Sequence, residues 1–202
     1  AGTKMGDVKF VDTMIKDGLM DAFQGYHMGT TAENIATRWQ ISREEQDKFA
    51  LGSQNKAEAA QKAGKFKDEI IAFTVPGKKG DTVVDADEYI RLNAVIDNFS
   101  KLRPAFSKDG TVTAGNASGI NDGAAAVVVA SPAAVERLGL TPLAEIGAYG
   151  QVAGPDSSLQ LQPAAAIELA AKKQGVAVAD LDLIEINEAF AAVGVASARA
   201  LG

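Results

Sequence analysis

A chain of 202 residues with 47% hydrophobic content can bury one large core or two smaller ones, and nothing in this composition marks it as disordered. Its 26 acids and 20 Lys and Arg are interspersed and give a net charge of −6, which removes a chain-wide basic surface for nucleic acid. The sequence contains no cysteine, hence no disulfide, thiolate metal site or cysteine nucleophile, and no apolar run approaches the roughly 20 residues of a membrane span.

The amino end, AGTKMGDVKF, lacks the charged-then-apolar pattern of a signal peptide, so a soluble, cytoplasmic protein is expected. Residues 1–26 carry scattered apolar side chains without a period, as in an irregular arm or short helix. Thr30 followed by Glu33 reads as a capping box, with Ile35 and Trp39 on one helical face. Ser42 followed by Glu45 opens a second helix that should run to Ala63 and stop at Gly64. Residues 69–84 (EIIAFTV, PGKKGD, TVV) read as a hairpin, and residues 85–108 show little regular pattern.

Beyond residue 111 the composition changes. The run AAAVVVA has no alternation, as in a strand covered on both faces, LAEIGAYG and LDLIEI read as a second and a third strand, and helical signals follow each of them. Ser131 and Pro132 supply an N-cap and a first-turn proline, Gly139 and Gly175 supply stops, and a last helix should begin within EAFAAVGVASARALG. Three strand–helix pairs at this spacing predict a layered α/β unit, with a boundary near residues 111–118.

Three stretches carry candidate chemistry. His27, the only histidine, sits with Tyr26 and Met28 between two glycines just before a helix. A lone histidine is more often a packing residue, but this cluster also suits a pocket for an apolar chain bearing amides. AGNASGINDGAAA is either a tight turn entering a buried strand or a place where backbone approaches a ligand, with Ser118 supplying a hydroxyl. NEAF falls at a strand end, where ligands of open α/β sheets gather. Asn187 there is either an amide donor to a developing oxyanion or a plain helix N-cap, with Glu188 a first-turn acid. GAYGQVAG lacks the spacing of a nucleotide-binding glycine loop.

Taken together, YHMGTTAENIA, RPAFSKDGTVTAGNASGINDGAAAVVV and LIEINEAFA resemble the thiolase family, most closely its bacterial biosynthetic acetyl-CoA acetyltransferases. The resemblance runs along essentially the whole chain, through SREEQDKFALGSQNKAEAAQKAGKFKDEI and VDADEYIR. It implies a layered αβαβα fold, here incomplete. Residues 1–110 would be an α+β loop domain covering coenzyme A, and residues 111–202 the first part of the carboxyl-terminal half. It further implies that His27 and Met28 line the pantetheine and acyl pocket and that Ser118 bonds the pantetheine arm. Arg91 would approach the nucleotide end, Asn187 would hold the oxyanion-hole water, and Ala189 and Phe190 would close the acyl site.

The implied reaction is condensation of two acetyl-CoA to acetoacetyl-CoA and free CoA through an acyl-enzyme, in fatty acid or polyhydroxyalkanoate metabolism. The coenzyme A thioester is then a substrate, with no resident cofactor or metal, and a homotetramer is the implied assembly. Family members use a cysteine nucleophile, a histidine in a GHP motif and a second cysteine in a CxG motif, none of which is in this sequence. The expectation is therefore an internal fragment that is inactive alone. The alternative is a non-catalytic module of the same fold that binds or assembles around coenzyme A esters.

Overall fold

In a computed structural model, residues 2, 4–156 and 161–202 are described; Ala1 and Thr3, at the outer end of the expected arm, lie outside them. Residues 4–26 form an exposed arm broken by a π-helical segment, Met14–Leu19, that buries nothing. Its end is tied down at Asp21, which is buried and whose Oδ1 accepts from the backbone N–H groups of Phe23 and Gln24.

Helix α1 spans Met28–Arg38 and starts earlier than the capping box at Thr30 and Glu33 predicts. His27 is the N-cap instead: its backbone is extended and its Nδ1 accepts from Gly29 N–H at 2.9 Å, which satisfies one of the helix's orphan donors. Glu33 is thereby released from capping and serves elsewhere. Helix α2 (Arg43–Lys62) begins as its sequence predicts, with Ser42 Oγ accepting from Glu45 N–H at 3.1 Å, and the left-handed Gly64 follows its end.

The hairpin also forms, but its first strand is shorter than EIIAFTV predicts, residues 69–72 staying outside the ladder. Strand β1 (Phe73–Val75) pairs antiparallel with β2 (Thr82–Val84), Phe73 opposite Val84 and Val75 opposite Thr82. A short helix, α3 (Ile96–Ser100), interrupts the unpatterned stretch and buries Phe99. Helices α4 (Pro132–Leu138) and α5 (Gln162–Gln174) stop at Gly139 and Gly175, both left-handed, and Ser131 Oγ caps α4 through Ala134 N–H.

The core forms around α6 (Ala191–Leu201), which touches α1, α2 and α5. Every residue from Ala191 to Ser197 is buried, as a helix apolar on all sides requires. Ala192, Val195 and Ala196 pack on Ile35, Ala36 and Ile41, with Trp39, Phe49 and Leu161 at the edge. Gly194 is needed there, since a Cβ at that position would lie 2.4 Å from the Phe49 ring. Arg199 then locks the far end, donating to both Glu45 carboxylate oxygens and to the Trp39 carbonyl.

The three strands predicted beyond residue 111 do not form. Residues 124–130, 143–150 and 181–186 join no ladder among the described residues, and Val127, Val128 and Leu183 are 86%, 95% and 89% exposed. Apolar continuity reports a preference for burial, whereas a strand also needs a neighbour for its N–H and C=O groups, and these segments do not pair with one another.

Candidate functional site

Two turns separated by about seventy residues in sequence are joined edge to edge. Ser118 N–H donates to the Ala189 carbonyl at 3.0 Å, Ala191 N–H donates to the Asn116 carbonyl at 2.8 Å, and Ala117 faces Phe190 in an antiparallel bridge. The AGNAS and NEAF stretches thus meet at the start of α6. Beside the junction lies a cleft of about 210 Å³, lined among others by Phe49, Gln54, Tyr89, Arg91, Ser118 and Glu188.

The two loops that border α2 at the cleft are held by side chains of α1 and α2. Glu33 accepts from the backbone N–H groups of Thr111 and Val112 and from the Thr111 hydroxyl, all at 2.9 Å, which binds the 111–118 segment to α1. On α2, Gln54 Oε1 accepts from Arg91 N–H, Glu58 Oε2 accepts from Asn93 N–H, and Gln61 Nε2 donates to the Asp87 carbonyl. Residues 54, 58 and 61 share one helical stripe, so this face of α2 grips the 87–93 loop. Lys62, bonded to Glu58, and the Asn93 N–H hold the Glu58 carboxyl below its ordinary value. Arg91 itself reaches back through Nη2 to the Ala114 carbonyl at 3.3 Å, which leaves further guanidinium donors for a ligand.

An aromatic stack adjoins the junction at Phe190. The His27 ring stacks on Phe106 with centroids 4.8 Å apart, and Phe106 meets Phe190 edge-on at 6.2 Å. The close approach requires Gly29, where a Cβ would fall 2.2 Å from the Phe106 ring. Met28, half-buried, opens α1 beside this stack.

The structure therefore brings Arg91 and Ser118 into one cleft and links His27 to Phe190 through Phe106. Asn187 and Ala189 are exposed on the approach to α6, Ala189 holding Ser118 through its carbonyl. The helix-cap reading of Asn187 fails. Helix α6 starts at Ala191 with Phe190 at its N-cap and no side-chain cap, so Asn187 and Glu188 both precede the helix. Among the described residues neither the Asn187 amide nor the Ser118 hydroxyl has a hydrogen-bond partner, so both are available to a ligand. Sequence reasoning missed Gln54, Tyr89 and Phe106. Tyr89 and Phe106 lie in aperiodic chain, and Gln54 lies on a helix whose polar residues read as a solvated face.

Two family models cover the chain. The thiolase amino-terminal domain matches residues 1–133 and the thiolase carboxyl-terminal domain matches residues 140–202. The chain belongs to the thiolase family. It is 60% identical over 201 residues to the acetyl-CoA acetyltransferase of Paracoccus denitrificans and 59% identical over 201 residues to that of Shinella zoogloeoides, matching 100% of this chain and 51% of each relative. The chain thus spans about half the length of these curated relatives. Among solved structures, human mitochondrial 3-ketoacyl-CoA thiolase superposes with a TM-score of 0.90 at 46% identity, over 99% of this chain and 51% of that one. The fold is an incomplete form of the thiolase layered α/β fold, comprising helices and one small sheet.

Proposed function

We propose that this chain is part of an acetyl-CoA C-acetyltransferase that condenses two acetyl-CoA to acetoacetyl-CoA and CoA by a ping-pong route. The observation that carries this reading is the junction of the AGNAS and NEAF turns. It puts two donors that have no partner among the described residues, the Ser118 hydroxyl and the Asn187 amide, on adjoining turns, with Arg91 in the cleft beside Ser118. Close identity to two acetyl-CoA acetyltransferases supports the substrate.

In this reading the coenzyme A thioester is a substrate that lies along the cleft, and the protein needs no resident cofactor or metal. Arg91 offers charge to its phosphorylated end and Ser118 bonds an amide of the pantetheine arm. His27 and Met28 line the pantetheine and acyl pocket, and Ala189 and Phe190 close the acyl site. Asn187 holds a water that donates to the thioester carbonyl oxygen as negative charge develops there, a contribution that grows in the transition state.

Two further tasks remain. A thiolate must displace CoA to form the acyl-enzyme, and a base must take the α-proton of the second acetyl group so that its carbanion can attack that acyl carbon. No cysteine among these 202 residues can supply the thiolate. The chain is therefore read as an internal stretch of a longer enzyme, inactive alone. Residues 1–110 act as a loop domain over coenzyme A, residues 111–202 begin the carboxyl-terminal half, and the intact enzyme is a cytoplasmic homotetramer.

The test combines intact-mass measurement of the isolated protein with kinetics of Asn187→Ala. A polypeptide longer than this chain is expected, and in it the substitution lowers kcat by roughly 10²-fold or more. A natural polypeptide of only this length, or unchanged turnover in Asn187→Ala, overturns the reading.

A further inference from the structure

The 111–118 segment is gripped by Glu33 and Gln46 along one edge, but one residue in it bonds in three directions. Asn116 is 2% exposed. Its Nδ2 donates to Asp47 Oδ1 at 2.9 Å and to the Thr111 carbonyl at 3.0 Å, and its Oδ1 accepts from Thr113 N–H at 2.8 Å. Its backbone carbonyl takes the Ala191 N–H that begins α6. Asp47, also 2% exposed, is held from the other side by Arg43 Nε at 2.7 Å, and Arg43 Nη2 donates to the Phe99 and Leu102 carbonyls. A buried carboxylate on α2 is thus connected through one amide to both turns of the candidate site.

We propose that the Asn116–Asp47 pair is a positioning element that sets the placement of the Ser118 hydroxyl relative to the Asn187 amide. The proposal rests on the thiolase reading for the roles of those two groups. Neither member of the pair is expected to touch the reacting atoms; each acts through the junction. The amide is required because its two ends differ. The N–H end meets a carboxylate and a carbonyl and the oxygen end meets an N–H, so a carboxylate at 116 would face Asp47 and the Thr111 carbonyl with like charge or lone pairs. Burial keeps water from substituting for any of these partners.

The experiment uses the protein as isolated and compares Asn116→Asp, Asp47→Asn and the exchanged pair Asp47→Asn with Asn116→Asp. Amide hydrogen exchange at Ser118 and Ala191 reads the junction directly. Asn116→Asp is expected to speed exchange at these two amides about tenfold or more, while the α1 amides keep their protection. The exchanged pair, which restores a donor facing an acceptor between positions 47 and 116 but not the donor to the Thr111 carbonyl, recovers part of that protection. In the acetyl-transferring polypeptide, Asn116→Asp raises KM and lowers kcat together, whereas Asn187→Ala lowers kcat alone. Should Asn116→Asp not fold, Asp47→Asn carries the same exchange measurement with a smaller expected rise. Unchanged exchange at Ser118 and Ala191 in both single variants overturns the proposal, as does an exchanged pair no better protected than Asn116→Asp. Should the unsubstituted longer polypeptide neither bind nor turn over acetyl-CoA, the proposed acetyl-transfer function falls and the exchange data still decide whether the pair sets the junction.

Discussion

Residues 27–118 and residues 119–190 both contain apolar runs and well-marked helices, yet they are secured in different ways. In the first region, helices α1 and α2 bury one face on α6, use Glu33, Gln54, Glu58 and Gln61 to bind loop backbone, and use Gln46 and Asp47 to bind the Thr111 and Asn116 side chains. Its 87–93 and 111–116 loops are therefore tied to helices of the same chain. In the second, α4 is capped at both ends yet buries nothing, and three valine-, isoleucine- and leucine-containing runs stay outside any ladder. Local signals suffice to make a helix, and side chains suffice to hold a loop, but a strand is completed only by another strand. The exposed runs support completion of the sheet by chain outside these residues, in keeping with relatives about twice as long.

The sharpest way to break this comparison is at the shared core. Ile35 is 1% exposed and lies in the cluster with Ala192 and Val195. Ile35→Ala is expected to destabilise the protein by roughly 2–5 kcal/mol, read from urea midpoints. A loss below about 1 kcal/mol would show that the first region is no more tightly packed than the second.

That core was legible in the sequence because it rests on local rules. The Ile35 and Trp39 face, the Ser42 cap, the hairpin and the stops at Gly64, Gly139 and Gly175 all follow from periodicity, capping and turn chemistry. The missed features depend on partners distant in sequence. Glu33 satisfies the spacing of a capping box, yet its carboxylate is spent on residues 111 and 112, and His27 caps α1 in its place. The polar residues of α2 look like a solvated face until the 87–93 loop and Asn116 are placed against them. Around the candidate site, resemblance pointed to Arg91, Ser118, His27 and Phe190, while Phe106, which bridges two of them, carries no periodic signal.

A smaller effect is expected from acid. The Glu58 carboxyl is held below its ordinary value first by the hydrogen bond from Lys62 and then by the Asn93 N–H. A carboxylate with a depressed folded-state pKa contributes stability that is present above the unfolded-state value and is lost as pH falls through the folded-state value. Hence wild type is expected to exceed Glu58→Gln in stability near neutral pH, and this advantage should shrink as pH drops below the usual glutamate range. Chemical denaturation of both proteins across that interval is the measurement. An advantage independent of pH would mean that the 87–93 loop is held by Gln54 and Gln61 without help from the Glu58 charge.

The smallest expected effect tests the other region. Val128 is 95% exposed, so Val128→Thr adds a hydroxyl that remains in water and should change the stability of this 202-residue chain by no more than about 0.5 kcal/mol. In a longer polypeptide that covers residues 124–130, the same hydroxyl would enter an apolar layer, where burial without a partner costs roughly 1–3 kcal/mol. The two measurements, made on the chain alone and on the longer polypeptide, therefore diverge if these runs are strands waiting for neighbours. Equal small effects in both would place the segment at the surface of the whole enzyme. A large effect in the chain alone would mean that residues 124–130 are already buried, and the contrast between the two regions would disappear.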